Sequence, residues 1–228
     1  MSLLYDLVLI VPPMLLSLTV HEYAHARTAL AFGDPTAASL GRVSLNPLRH
    51  LDLVGTIVFL VTRMVGWAKP VPVNPYNLHP QRLGDALVSA AGPLSNLALA
   101  IITLALLAGL LRAQGLYESE FFQPLFLMLL TTVSMNIGLF VFNLTPLYPL
   151  DGHHILREFL PVRMHEGYMH WQMRYGVAAL LIVWVVPGLV KQHIDPNFMG
   201  PVELIHSYLI NTALRLSGIS IRLQIAGG

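Results

Sequence analysis

Hydrophobic residues run along this chain in long blocks rather than in narrow stripes. Residues 2–20 contain one charge, Asp6; residues 86–111 and 121–150 contain none; residues 171–190 contain one, Arg174. Each block reaches or approaches the ~20 residues needed to cross about 30 Å of hydrocarbon. The pattern predicts helices over 3–32, 86–111, 121–144 and 171–190, with a short helix reaching Phe159 after the break at Pro146 and Pro149. Pro12 and Pro13 interrupt the first helix, which spanning segments tolerate better than soluble ones, and Gly33-Asp34-Pro35 ends it.

Two stretches read differently. Residues 51–67 are apolar but short, and they carry Gly55, Thr56, Thr62, Arg63 and Gly66. The following "WAKPVPVNPYNLHP", 67–80, has four prolines and cannot continue as helix. It reads as extended chain, with Val71 and Val73 as candidate strand residues. Residues 201–225 alternate apolar positions with His206, Arg215 and Arg222, a pattern that suits either a surface-lying or a crossing segment. The expected fold is an all-α integral membrane protein: a polytopic helical bundle with a small re-entrant or β-hairpin region between the first and second core helices.

Composition agrees. Hydrophobic residues make up 55% of the 228 positions and charged ones 11%, against about a quarter charged in soluble domains, and the mean hydropathy is +0.63. A net charge of +1 without a basic tract gives no reason to expect nucleic acid as a partner. With no cysteine, disulfides, iron–sulfur clusters and thiolate zinc sites are excluded. The apolar N-terminus lacks a basic leader and a small-residue cleavage site, so no cleaved signal peptide is expected.

Within the first block stands "HEYAH", residues 21–25. Side chains four apart on a helix lie about 40° apart around the axis, one turn up. The imidazoles of His21 and His25 can therefore reach one ion. Glu22 points about 100° away from His21, where it can meet a water beside that ion rather than the ion itself. Chance gives roughly 0.01 such patterns in a chain of this composition. Ionisable residues inside a spanning helix are costly and usually functional.

A catalytic zinc takes three protein ligands and keeps one position open. Asp151 is the best third ligand: it follows thirty uncharged residues on a proline-broken backbone, and broken backbone at membrane depth occurs where it lines a polar cavity. His153 and His154 are the reserves. For an unrelated protease with a glutamate ligand, Glu158 and Glu166 are the available suppliers.

Asp151 can meet the histidines only if the helix over 121–144 ends on the same side as the first. Residues 51–83 must then begin and end on that side too. On this scheme the side holds Arg27, Arg42, Arg49, Arg63, Lys69, Arg82, Arg157 and Arg163, and the opposite side Arg112 and Lys191, leaving the tail aside. Positive charge collects on the cytoplasmic face of membrane proteins, so the metal side is expected to be cytoplasmic.

"HEYAH" at 21–25, "GWAKPVPVNP" at 66–75, "AGPLSN" at 91–96 and "NLTPLYPLDG" at 143–152 together resemble the site-2 protease family of intramembrane zinc metalloproteases. The resemblance covers roughly residues 15–156 and matches the compact type without a PDZ domain. In the last motif Thr145 and Tyr148 replace apolar or proline residues, while the ligand aspartate is kept. The resemblance implies that His21, His25 and Asp151 bind Zn2+ and that Glu22 is the catalytic base. It implies that the segment around 66–75 forms a membrane-embedded sheet region able to pair with an unwound substrate. It sets Asn96 and Asn143 near the site, as substrate or oxyanion contacts or, equally, as interhelical hydrogen bonders. Gly92 would allow close helix packing and Pro93 a bend.

The expected activity is therefore a zinc metalloendopeptidase of the site-2 type, cutting peptide bonds in or near the transmembrane segments of membrane-anchored proteins in regulated intramembrane proteolysis. The expected location is a prokaryotic inner membrane, multi-pass, with the lipid bilayer and a membrane-anchored protein as partners. The expected organisation is one membrane-embedded domain over 1–228: a catalytic core of about 1–160 and C-terminal helices over about 168–228. The alternatives are a metal-binding membrane transporter, which should show repeats and several intramembrane carboxylates, and a non-catalytic scaffold.

Overall fold

The computed structural model describes residues 3–62, 67–112, 122–193, 204, 207–209 and 211–212. The chain forms α1 (Leu3–Ala31), a single turn α2 (Thr36–Ser39), α3 (Leu53–Thr62), α4 (Gln81–Arg112), α5 (Phe122–Asn143), α6 (Asp151–Phe159), α7 (Val162–Trp171) and α8 (Val177–His193). A π-helical turn, Gln172–Gly176, joins α7 to α8. Among the described residues, four stretches are long and apolar enough to cross a membrane: Leu7–Ala31, Gln81–Leu111, Phe122–Asn143 and Val162–Pro187. This is a multi-pass helical membrane protein, and side chains such as Ile101, Ile102, Leu181 and Ile182 turn outward from the bundle, as lipid-facing residues do.

α1, α4 and α5 form the centre. Small buried residues on α1, Ala26 and Ala29, let its backbone approach α4 closely, the usual device where no hydrophobic effect separates helix from lipid. Leu104 and Leu107 of α4 interlock with Val133 and Ile137 of α5. The backbone N–H of His79 donates to Phe32 O at 2.8 Å, so α4 starts beside the end of α1. Arg157 of α6 pairs with Asp85 near the start of α4 at 2.5 Å, so α5 has returned to that side before α6 begins.

Two boundaries and one element differ from expectation. α4 starts at Gln81 rather than 86, because Asp85 is neutralised by Arg157 and need not end the helix. The last crossing helix starts at Val162 rather than 171. The expected β-hairpin is absent: no strand occurs among the described residues, residues 53–62 are helical, and residues 67–74 touch residue 51 through one isolated antiparallel bridge, Leu51 with Ala68. Pro70, Pro72 and Pro75 remove the N–H donors that a ladder needs. Ten helical residues span only about 15 Å, and Lys69 N–H donates to His50 O at 2.8 Å. His50 and Leu51 thus lie beside Ala68 and Lys69. Arg63 and most of the tail over 201–225 lie outside the described residues.

Residues 67–77 form a strap held by side chains instead of by a sheet. Arg42, on the connection after α2, donates from Nη2 to Lys69 O and, at 3.3 Å, to Pro70 O. Asp34, just past α1, accepts from Asn74 N–H at 2.7 Å and Asn77 Nδ2 at 2.9 Å, as well as from Thr36.

Candidate metal centre

His21 and His25 project from α1 towards the first residue of α6. His21 Nε2 lies 3.3 Å from Asp151 Oδ2, His25 Nε2 lies 3.4 Å from Asp151 Oδ1, and the two Nε2 atoms are 3.0 Å apart. Among the described residues these three form the one group of histidine and carboxylate donors close enough to share an ion.

The opposite edge of each ring is fixed. His25 Nδ1 faces the carbonyl oxygen of Val88 at 2.7 Å. A carbonyl only accepts, so in the neutral ring Nδ1 carries the proton and Nε2 keeps its lone pair. His21 Nδ1 faces Asn96 Oδ1 at 2.6 Å. The Asn96 amide nitrogen is committed to Ser17 O at 3.2 Å and Asn136 Oδ1 at 2.7 Å, which leaves its oxygen for His21 and sets the same tautomer there. Asn136 in turn donates to Ser17 Oγ and Thr132 O, and Ser17 Oγ donates to Pro13 O. Every link of this buried relay runs in a consistent direction across α1, α4 and α5.

Two unprotonated ring nitrogens and a carboxylate therefore converge on one point. Asp151 Oδ2 is buried and makes no hydrogen bond, which is costly unless something positive completes the cluster. Gly92 on α4 provides the room: a Cβ there would lie within 3 Å of His25 Nε2, His21 Cε1 and His25 Cε1. Nitrogen and oxygen donors with an open cavity on one side suit a catalytic Zn2+, and outer partners of the kind supplied by Val88 and Asn96 orient such ligands.

The cavity beside the cluster encloses about 560 Å³ and is lined by Glu22 and Asn143 together with the three donors. Its remaining walls are mostly apolar, from Leu18, Leu139, Phe142, Val71 and Val73 among others. Glu22 Oε2 accepts the backbone N–H of Val71 at 2.9 Å, so the strap fixes the carboxylate. Asn143 donates to Leu139 O at 3.0 Å. Asn96 lies entirely inside the bundle, its amide spent on His21, Ser17 and Asn136.

The reserve ligands stand apart from the cluster. His153 Nδ1 faces Leu150 O at 2.5 Å and its ring meets those of Tyr148 and His154. His154 lines the cavity and lies 3.8 Å from Asp85. Glu158 is bound by Arg82 and Arg157. Asn136, Ser17 and Gln172 were not anticipated; the available cue was a polar side chain inside an apolar run.

Comparison with known proteins finds relatives named as zinc metalloproteases. The chain is 42% identical over 175 residues to "Putative zinc metalloprotease YwhC" of Bacillus subtilis, covering 76% of this chain and 78% of that one. It is 29% identical over 231 residues to "Putative zinc metalloprotease Rip2" of Mycobacterium tuberculosis, covering 96% of this chain and 78% of the relative. The Rip2 of Mycolicibacterium smegmatis is 27% identical over 228 residues, with 97% of this chain and 78% of the relative covered. No protein-family model matches the chain, and no solved structure does.

Proposed function

Because this chain belongs to the site-2 protease family of zinc metalloproteases, we propose that it hydrolyses peptide bonds in or beside the transmembrane segments of membrane-anchored proteins, as a step of regulated intramembrane proteolysis. The cofactor is Zn2+. The observation that carries the reading is the convergence of His21, His25 and Asp151 within bonding reach of a single ion, beside a carboxylate on the same helix turn.

His21, His25 and Asp151 hold the metal, and Glu22 acts as general base. Zn2+ bound there supplies Lewis acidity and a lowered pKa for water. Glu22 takes a proton from the water that attacks the scissile carbonyl and returns it to the departing nitrogen. The Val71 N–H keeps one carboxylate oxygen fixed while the other is available to water. Asn143, on the cavity wall, is the group best placed to meet the substrate carbonyl. Asn96 acts through His21, by setting its tautomer. The scissile segment must enter unwound, because a hydrogen-bonded helical carbonyl is shielded from attack, and apolar cavity walls suit the side chains of a membrane segment.

The whole chain works as one membrane-embedded domain, with the catalytic core over about 1–160. The metal side faces the cytoplasm of a prokaryotic inner membrane, supported among the described residues by Arg27, Arg42, Arg49, Lys69, Arg82, Arg157 and Arg163 on that side against Arg112 and Lys191.

Glu22→Gln keeps the shape of the base and removes its function. The purified variant should retain bound zinc and lose cleavage of a single-span substrate by about 10²-fold or more. Cleavage at the parental rate would remove Glu22 from the mechanism. Asp151→Ala should lower zinc content, and unchanged metal would remove Asp151 from the ligand set.

A further inference from the structure

We propose that Gln172, on the last crossing helix, is a positioning residue that holds the Asp151 carboxylate at the metal. The inference rests on the reading of Asp151 as a ligand and extends it to a part of the chain outside every motif.

Asp151 hangs on an irregular backbone. Residues 144–150 have no regular secondary structure, and a helix begins at Asp151 itself. A ligand must be held to within about 0.5 Å, so something must fix this loop. Gln172 Oε1 accepts the backbone N–H of Tyr148 at 2.9 Å, and Gln172 Nε2 donates to Pro146 O at 2.8 Å. One turn earlier, the Tyr168 hydroxyl donates to His153 O at 3.2 Å. The backbone is thus pinned on both sides of Asp151, at 146, 148 and 153, from a single helix.

The chemistry of the side chain is specific. The loop offers one backbone donor and one backbone acceptor, and an amide of this length satisfies both at once. Gln172 is 1% exposed, within a stretch long and apolar enough to cross a membrane. A polar group there is expensive unless its hydrogen bonds are made. The helix is also deformed at this point: residues 172–176 form a π-turn, an irregularity frequent at functional sites. Gln172 and Gly176 are the buried residues of that turn. A Cβ on Gly176 would lie 2.9 Å from both Gln172 Oε1 and Tyr148 Cβ, so the glycine lets the loop approach.

The test is zinc competition against a chromophoric chelator, on the detergent-solubilised full chain, with thermal unfolding of the metal-free protein measured alongside. Q172L keeps most of the volume and removes both hydrogen bonds. It should bind zinc about 10- to 100-fold more weakly, the range seen for outer partners of metal ligands, with metal-free unfolding close to parental. Q172E, protonated by its burial, again offers one donor and one acceptor and should recover most of that loss. Y168F should weaken zinc about threefold, a smaller step in the same direction. Parental zinc affinity in Q172L, with D151A losing the metal, overturns the role of Gln172 and leaves Asp151 a ligand. Parental affinity in D151A overturns the ligand reading itself. Should Q172L fail to fold, Q172M, which also lacks both hydrogen bonds, takes its place, and parental zinc affinity there overturns the proposal.

Discussion

Asn96 Oδ1 accepts the Nδ1 proton of His21 at 2.6 Å, so a residue 75 positions further along the chain decides which nitrogen of that imidazole is free for a metal. The reason lies one step deeper. The Asn96 amide nitrogen already donates to Ser17 O and Asn136 Oδ1, so the amide cannot turn over without setting its oxygen against two acceptors. α1 carries the histidine, α4 the asparagine and α5 the partner that orients it. Assembly of the central bundle and preparation of the ligand are one event.

Asn96→Leu should therefore affect both. Without an acceptor at Nδ1, His21 is free to take the other tautomer, and zinc should bind about tenfold more weakly. Asn136 also loses a donor to its buried oxygen, which costs about 1–3 kcal/mol. Chelator competition and thermal unfolding of the metal-free chain measure the two effects separately. Parental values in both would show that the relay does not orient His21.

Gly92→Ala should separate metal binding from folding in the opposite sense. Alanine is favoured over glycine within a helix by about 1 kcal/mol, yet its methyl group would fall on both imidazoles. Helical content by circular dichroism should stay parental while zinc content falls sharply. Full zinc occupancy would mean that the rings have a second arrangement that still grips the ion.

How far the site could be read from the sequence follows from how rare each feature is. His21, Glu22 and His25 stand out because three ionisable residues in an apolar run are improbable without a task, and Asp151 because it ends thirty uncharged positions. The chain direction of α1, α4 and α5 followed from joining these donors, and the start of α4 beside the end of α1 agrees with it. Ser17 and Asn136 stayed hidden because single small polar residues in spanning helices are common packing elements. Among the described residues the strap, which the sequence reads as extended chain with Val71 and Val73 as candidate strand residues, forms no hairpin. Its alternating valines match a strand, but its hydrogen bonds go to Glu22, Asp34 and Arg42, and long-range pairing of backbone with side chains leaves no periodic mark. The π-turn at Gln172 has no sequence signature either.

The strap's contact with Glu22 predicts a variant that damages the reaction without touching the metal. Val71→Pro deletes the one N–H that the Glu22 carboxylate accepts, in a segment that already holds Pro70 and Pro72. Zinc affinity should be unchanged, and kcat on a single-span substrate should fall by about tenfold, since a base must be held within hydrogen-bond reach of its proton. A rise in KM alone, with kcat intact, would show that the contact serves substrate access instead.

Asp34 anchors the other end of the strap, and its charge should make that anchoring dependent on pH. Desolvation works against the ionised form, but hydrogen bonds from Thr36, Asn77 and Asn74 outweigh it and hold the carboxyl below its ordinary value of 3.8. A depressed carboxylate contributes stability that is present in full above the unfolded pKa and is lost as pH falls through the folded one. Asp34→Asn replaces an acceptor by an amide that turns a donor towards N–H groups, at a cost of about 1–3 kcal/mol. In thermal unfolding of the metal-free protein, the gap between parent and variant should be level from neutral pH down to 3.8 and should narrow below it. A gap that widened on acidification would mean that the carboxyl binds the strap in its protonated form.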